Sequence, residues 1–194
     1  AMGSVEQGTT VSDYDHEEHQ RRHSLSASLL QFEWKGTALS LLDTPGDRNF
    51  QGDTIAALRV ADAVVLVVSA ATGMRPDVGR LWAQIASLGL PSMIFINDLD
   101  KDGASFEGTL TACRELAEGM QLLPVCLPGG NTPGGEAVVD LLGETLLASR
   151  PDSPKIQVST IPGTLTGLVA GARKPLVEAA AETDDGLLER YLSA

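Results

Sequence analysis

The chain is poor in aromatic residues, in cysteine and in positive charge, and it has no long apolar run. Aromatics make up only 4% of the 194 residues, so the core that a 43% hydrophobic content permits has to be built from Leu, Val, Ile and Ala. Lys and Arg number 14 against 26 Asp and Glu, giving a net charge of −12. Phosphate backbones are bound by clustered cations, so this balance argues against direct contact with nucleic acid or an anionic membrane. No stretch approaches the roughly 20 apolar residues of a membrane-spanning helix, and no signal peptide is visible. Cys113 and Cys126 sit in no metal-ligand spacing and are too few for a disulfide framework. Cys113 falls on the apolar stripe of an expected helix, as a small core residue. These scarcities lead us to expect a reducing, cytoplasmic compartment.

What is present is an alternation of short apolar runs and helical periods. Residues 8–22 are polar and charge-rich, and are expected to form a loop with at most one helical turn. Residues 25–34 and 37–42 flank a Lys35-Gly36 turn and predict a hairpin. The second strand runs into Asp43-Thr44-Pro45-Gly46. Phe50, Ile55, Leu58 and Ala61 then recur at helical spacing. Residues 63–69 are continuously apolar, as suits a parallel strand covered on both faces. Val78, Leu81, Trp82, Ile85 and Leu88 trace a helix face. Residues 93–96 predict another buried strand, ending at Asn97-Asp98-Leu99-Asp100, and Phe106, Leu110, Cys113 and Met120 line a further helix. Alternation of this kind implies an α/β fold, a mostly parallel sheet with helices on its faces.

The pattern changes near residue 123. Residues 125–127, 137–142 and 156–160 predict three short strands, the first two joined by a Gly/Pro-rich stretch, 128–135. A helical period begins at Leu165, and Pro175 is expected to break or kink it. Residues 183–192 predict a last helix, with Thr183 as N-cap and Asp184 and Asp185 in its first turn. The expected organisation is one α/β domain over residues 1–122 and a small α+β appendage over 123–194.

Two motifs stand at expected strand ends, where open α/β sheets bind ligands. In Asp43-Thr44-Pro45-Gly46, an Asp can hold Mg²⁺ through a water and a Gly can bring a backbone N–H to a γ-phosphate. The same residues also make an ordinary strand-ending turn. In Asn97-Asp98-Leu99-Asp100, an Asn can bond a guanine and brace neighbouring loops, while an Asp accepts two hydrogen bonds from the base. The competing reading is an acidic loop capping the next helix. His16, His19 and His23, spaced by three and four, would share a helix face that could bind Zn²⁺. The sequence does not fit H-E-x-x-H, because Gln20 stands where the second His is needed, and a solvated His-rich loop is the simpler reading.

Taken together and in this order, the two strand-end motifs resemble the GTP-binding domain of elongation factor G and of its bacterial paralogues. The resemblance extends from about residue 3 to the C-terminus. It rests on Gly8-Thr9-Thr10 with Asp13-Tyr14, on Phe32-Glu33-Trp34-Lys35-Gly36, and on Asp43 to Gly46 with Phe50. It continues through Ala61-Asp62-Ala63, Val68-Ser69-Ala70, Asn97 to Asp100 and Leu127-Pro128, and through the tail from Glu182 to Leu192. That tail is similar to the end of the insert that distinguishes elongation factor G from other translational GTPases. The resemblance implies a P-loop-NTPase-like, three-layer fold, with GTP or GDP and Mg²⁺ as cofactors and the ribosome as the partner of the intact protein. It implies Asp43 as the Mg²⁺-water ligand, Gly46 as the γ-phosphate sensor, and Asn97 and Asp100 as guanine ligands. Residues 8–26 would be switch I, with Ser24 reaching Mg²⁺, and residues 43–53 switch II.

Departures accompany it, among them the lack of the Ser-Ala-containing guanine-contact turn that the family carries after this insert. The pattern G-x-x-x-x-G-K-[ST] occurs nowhere in the chain, so the first strand and its phosphate-binding loop are expected to be missing. Asp47 stands where the family carries the His that orients the attacking water. Asp98 replaces the Lys of N-K-x-D. Each of the last three changes removes positive charge or adds negative charge where phosphates are expected, so the chain alone is expected to bind GTP weakly or not at all. A degenerate, non-catalytic interaction module is the alternative. Loss of a central strand would leave unpaired edges and exposed apolar faces, so marginal stability or self-association is expected.

Overall fold

The computed structural model describes residues 9–117, 119–132, 135–150 and 153–193. Gly8 and the start of the resemblance lie outside the described residues. The chain divides into two compact units, Ala1–Ala112 and Cys113–Ala194.

The first unit opens with a short helix, α1 (His16–Arg21), where sequence predicted little more than a loop. The hairpin follows as β1 (Ser28–Trp34) and β2 (Thr37–Asp43). Its two-residue turn places Lys35 at φ 50° and Gly36 at φ 78°. That pair of left-handed residues matches the twist of antiparallel strands and fixes the register. A 3₁₀ turn (Arg48–Phe50) leads into α2 (Gln51–Leu58). Then come β3 (Val64–Ser69), α3 (Pro76–Ser87), β4 (Ser92–Asn97) and α4 (Phe106–Leu116), the last crossing the division between the units. Strands β3 and β4 pair in parallel from Val64↔Ser92 to Ser69↔Asn97, with α3 as the crossover. Strand β2 is hydrogen-bonded to β1, so among the described residues the expected single sheet consists of two two-stranded pieces.

Leu66 and Val68 of β3 are buried, together with Trp82 and Ile85 of α3. The opposite face is bare. Val65 pairs with Met93 and Val67 with Phe95, and all four side chains are between 53% and 59% exposed. On the hairpin, Phe32 faces Leu39 and Leu30 faces Leu41, again with Phe32, Leu39 and Leu41 exposed. Contiguous apolar patches of this kind drive association. Sedimentation of the isolated chain is therefore expected to show concentration-dependent oligomers that Val67→Lys with Phe95→Lys reduces. A cooperative, high-melting monomer at high concentration would contradict this.

The second unit contains an antiparallel four-stranded meander: β5 (Cys126–Thr132), β6 (Gly135–Asp140), β7 (Thr145–Arg150) and β8 (Ser153–Ser159). Sequence predicted three strands here. The Gly/Pro-rich stretch proves to be largely strand: β5 continues through Pro128 and Gly130 with a bulge. Pro128 is tolerated because β5 is an edge strand and need not donate on both sides. Strand β7 is the additional one, and its residues carry no clean alternation to mark it. It is set by the turn before it, where the Asp140 carboxylate accepts from the N–H groups of Leu142 and Gly143. Val139, Leu141, Leu146 and Ala148 form the buried face.

Helix α5 (Thr166–Ala181) runs through Pro175 rather than ending there. Pro175 removes one N–H, the one that would have bonded the Gly171 carbonyl. Arg173 of the same helix reaches outside it: its Nε donates to the Leu141 carbonyl at 3.1 Å and its Nη2 pairs with Glu144 at 3.2 Å. Helix α6 (Asp185–Leu192) is capped by Asp184, not by Thr183. Asp184 accepts from the Leu187 N–H at 2.9 Å, whereas the Thr183 hydroxyl donates back to the Ala180 carbonyl at 2.7 Å. A carboxylate can only accept, so it takes the capping role that the hydroxyl forgoes.

Candidate nucleotide-binding site

The segment from residue 10 to 28 is built around two carboxylates. Asp13 is buried and accepts from the hydroxyls of Thr10 at 2.6 Å and Ser24 at 2.7 Å. Glu18 is fully shielded, with 0% of its surface exposed. One of its oxygens accepts from the N–H groups of Tyr14 (3.1 Å) and Asp15 (3.0 Å). The other accepts from those of Leu25 (2.8 Å) and Ser26 (3.2 Å). Burial pushes the Glu18 pKa up, but the four N–H donors outweigh it and hold the carboxyl below its ordinary value. Asp15 caps α1 and forms a reciprocal capping box with Glu18. The D-x-x-E spacing is the sequence signal for this helix, and it is hard to single out among so many charges.

This segment is tied to the residues after β2. The Ala27 N–H donates to Asp53 at 2.9 Å. The His23 ring lies 6.4 Å from that of Phe50. The three histidines diverge: His19 bonds the Asp13 carbonyl, His16 bonds Gln20, and His23 bonds the Ser24 carbonyl. No group of three potential metal-ligating side chains occurs among the described residues.

Asp43 is the last residue of β2 and is half-buried. The Pro45 carbonyl accepts from Thr54 at 3.4 Å. Gly46 is exposed, and a Cβ there would meet nothing within 4 Å. Asp47 is the N-cap of the 3₁₀ turn, its carboxylate accepting from the Asn49 N–H at 2.8 Å.

Asn97 ends β4 in register with Ser69 of β3. The Ala70 N–H donates to the Asn97 carbonyl at 2.8 Å, and the Ser105 N–H to the Ala70 carbonyl at 3.3 Å. Asp98 adopts a left-handed conformation, φ 61°. Its carboxylate pairs with Lys101 at 3.0 Å, and the Ser69 hydroxyl and the Lys101 ammonium hold it below the ordinary Asp value. Asn97 and Asp100 are exposed, and neither side chain has a partner among the described residues. The structure thus places Asn97, Asp98 and Asp100 at the end of β4, where the Asn97 carbonyl is bonded by the Ala70 N–H after β3, and separately gathers Asp13 and Ser24. Among the described residues no hydrogen bond joins Ser24 to Asp43, or Asp43–Gly46 to the loop at 97–100.

Two strand-end loops and an ordered preceding segment are the layout that a nucleotide-binding domain requires, and comparison with known proteins decides which one. Residues 1–186 match the family described as the elongation factor Tu GTP binding domain. The chain belongs to this family of GTP-binding domains. It is 34% identical over 189 residues to elongation factor G 2 of Streptomyces coelicolor, covering 97% of this chain and 27% of that protein. It is 33% identical over 195 residues to elongation factor G 1 of Geobacter sulfurreducens, covering 98% of this chain and 28% of that protein. The crystal structure of a protein from Thermus thermophilus superposes with a TM-score of 0.85 at 31% identity, over 98% of this chain and 28% of that one. The GTP-binding domain thus spans a little over a quarter of the length of these relatives. Its mixed α/β fold, with a parallel strand pair and antiparallel sheets, is the expected fold class. None of its described helices is long and apolar enough to cross a membrane.

The free Asn97 and Asp100 fit a guanine base, being respectively a mixed donor–acceptor and an acceptor with nothing else to bind. Asp43 and Ser24 are hard oxygen donors of the type Mg²⁺ takes, although the Ser24 hydroxyl is engaged by Asp13 here.

Proposed function

We propose that this chain is part of the GTPase of an elongation factor G-type protein acting on the ribosome. In that protein, in-line attack of water on the γ-phosphate is coupled to rearrangement of residues 8–26 and 43–53. The observation that carries the reading is the loop after β4. Its backbone is fastened to the end of β3, while Asn97 and Asp100 are left exposed and unpaired. Asp100 then accepts from the two N–H groups on one edge of guanine, and Asn97 bonds the base and steadies the loop. Asp43, through a water, and the Ser24 hydroxyl would hold Mg²⁺, and the Gly46 N–H would bond the γ-phosphate. Mg²⁺, when bound, neutralises charge on the phosphate oxygens. Residues 123–194 form the insert typical of elongation factor G. The acidic segment itself makes no direct nucleic-acid contact.

A second reading, a non-catalytic interaction module, is favoured by Asp47. Its carboxylate is used as a helix cap where the family carries a His. Fluorescent guanine nucleotide separates the two. The chain by itself, without a G-x-x-x-x-G-K-[ST] loop, is expected to bind weakly. Extended by an upstream segment carrying that loop, it is expected to bind at micromolar concentration or tighter. Absence of binding by the extended protein would leave the interaction module as the answer.

A further inference from the structure

Asp-Gly pairs occur twice in the chain, at Asp102-Gly103 and at Asp185-Gly186. Such a pair can rearrange unaided, because glycine has no side chain to keep its nitrogen from the preceding carboxyl carbon. The fold treats the two pairs differently. Asp102 and Gly103 are exposed and lie between β4 and α4, outside any helix or strand. The turn around them is closed by the Ala104 N–H, which donates to the Lys101 carbonyl at 3.2 Å, so the Gly103 N–H is not spent on it. Neither the Asp102 carboxylate nor the Gly103 N–H has a partner among the described residues. Lys101, the adjacent cation, is turned to Asp98 at 3.0 Å. Gly103 stands at φ 78°, and a Cβ built on it would meet nothing within 4 Å.

Asp185 and Gly186 instead form the first turn of α6. The Leu188 N–H donates to the Asp184 carbonyl at 3.0 Å and the Leu187 N–H to the Asp184 carboxylate at 2.9 Å, so this peptide is closed over by bonds. Helical backbone keeps ψ at about −42°, away from ring closure. A Cβ on Gly186 would meet Asp184 Oδ1 at 3.2 Å.

We propose that Asp102-Gly103 is a self-modifying site, at which the chain isomerises to isoaspartate between the loop at 97–100 and α4. The Gly103 nitrogen attacks Asp102 Cγ. An N–C bond forms, and the amide hydrogen leaves with the carboxyl OH as water, closing a succinimide. Water then reopens the ring. Opening at Cγ restores Asp102. Opening at the main-chain carbonyl carbon routes the backbone through Cβ and Cγ and leaves the former main-chain carboxyl as the side group. Nothing is oxidised or reduced, and the net mass is unchanged. The added backbone atom falls upstream of Ser105, whose N–H donates to the Ala70 carbonyl at 3.3 Å. This chemistry needs no nucleotide and is independent of the guanine-nucleotide reading.

Incubation of the chain for weeks at neutral pH and physiological temperature tests this. Isoaspartate is counted by methyl transfer from labelled S-adenosylmethionine with an isoaspartate-specific methyltransferase. It is located by peptide mass spectrometry with electron-transfer fragmentation. In the folded chain it is expected to accumulate at residue 102 at least about fivefold faster than at residue 185, because α6 has to open before its pair can react. In urea the two rates are expected to agree within about twofold. Asp102→Glu, which would have to close a larger ring, is expected to lose the signal at 102 and keep that at 185. Asp102→Asn expels ammonia in place of water, and is expected to gain the mass of an amide-to-acid conversion sooner than the parent isomerises. Equal or inverted rates at the two pairs in the folded chain, or a ratio that persists in urea, would overturn the proposal. So would a signal at 102 untouched by Asp102→Glu, or an Asp102→Asn chain that keeps its mass while the parent isomerises.

Discussion

Asp100→Asn, introduced into the chain extended by a phosphate-binding loop, is expected to weaken guanine nucleotides by about 10²-fold and to reverse the preference toward xanthine nucleotides. The Asp100 side chain is exposed and has no partner among the described residues, so its loss should cost the fold little. Its effect falls on recognition. A carboxylate offers only acceptors, and guanine presents two adjacent N–H donors on one edge. Such a charge-assisted, two-pronged contact is worth about 3 kcal/mol, and each 1.4 kcal/mol is about tenfold in affinity. An amide turns one acceptor into a donor and sets it against the guanine amino group. Xanthine carries a carbonyl at that position and accepts the new donor. Competition of fluorescent GDP with xanthosine diphosphate reads both effects. Equal GDP affinity in parent and variant would remove Asp100 from the base-binding set.

The second large effect is expected at Glu18. Glu18→Gln keeps the shape of the side chain but leaves a single accepting oxygen, and the new NH₂ faces two of the four N–H donors now held at 2.8–3.2 Å. Leaving two donors without an acceptor in a shielded site costs about 2–3 kcal/mol. The loss should be local to residues 13–28. Amide exchange at Leu25 and Ser26 is expected to quicken by roughly 30- to 100-fold, with little change at Val68 in β3. The pH dependence follows from the lowered pKa of Glu18. A carboxylate whose native pKa lies below its unfolded value contributes fully above the unfolded value of about 4.3. That contribution is lost as pH falls through the native value. The parent segment should therefore loosen on acidification, whereas Glu18→Gln should be loose throughout. Protection that is equal in the two proteins at pH 7 would show that the cage does not order the segment.

The strands and most helices of the first unit are legible in the sequence because each has a period or a run. Residues 63–69 have the apolar continuity of a parallel strand, and Trp82 and Ile85 mark one face of a helix. The strand-end motifs are legible for the same reason, since Asp43 and Asn97 each follow such a run. What escapes are the features fixed by side chains folding back on backbone. Helix α1 depends on the Asp15–Glu18 capping box, and β7 depends on Asp140 closing the turn before it. The start of α6 depends on which of two adjacent residues, Thr183 or Asp184, can only accept. Each is a matter of one or two hydrogen bonds, and composition and periodicity average over them.

By itself, the sequence determined the acidic surface, the α/β alternation, the order of the two motifs and the residue types offered to a base, because these depend only on which side chains recur at which spacing. Only the tertiary structure decided how those residues are spent. It turned Asp47 into a helix cap, Ser24 toward Asp13, Glu18 into the centre of a cage of four N–H groups and Asp98 into a partner of Lys101. A carboxylate's role is set by the donors within about 3 Å of it, and for Asp13 and Glu18 several of those donors, on Ser24, Leu25 and Ser26, stand 7 to 11 residues along the chain with no mark in the sequence of their nearness in space.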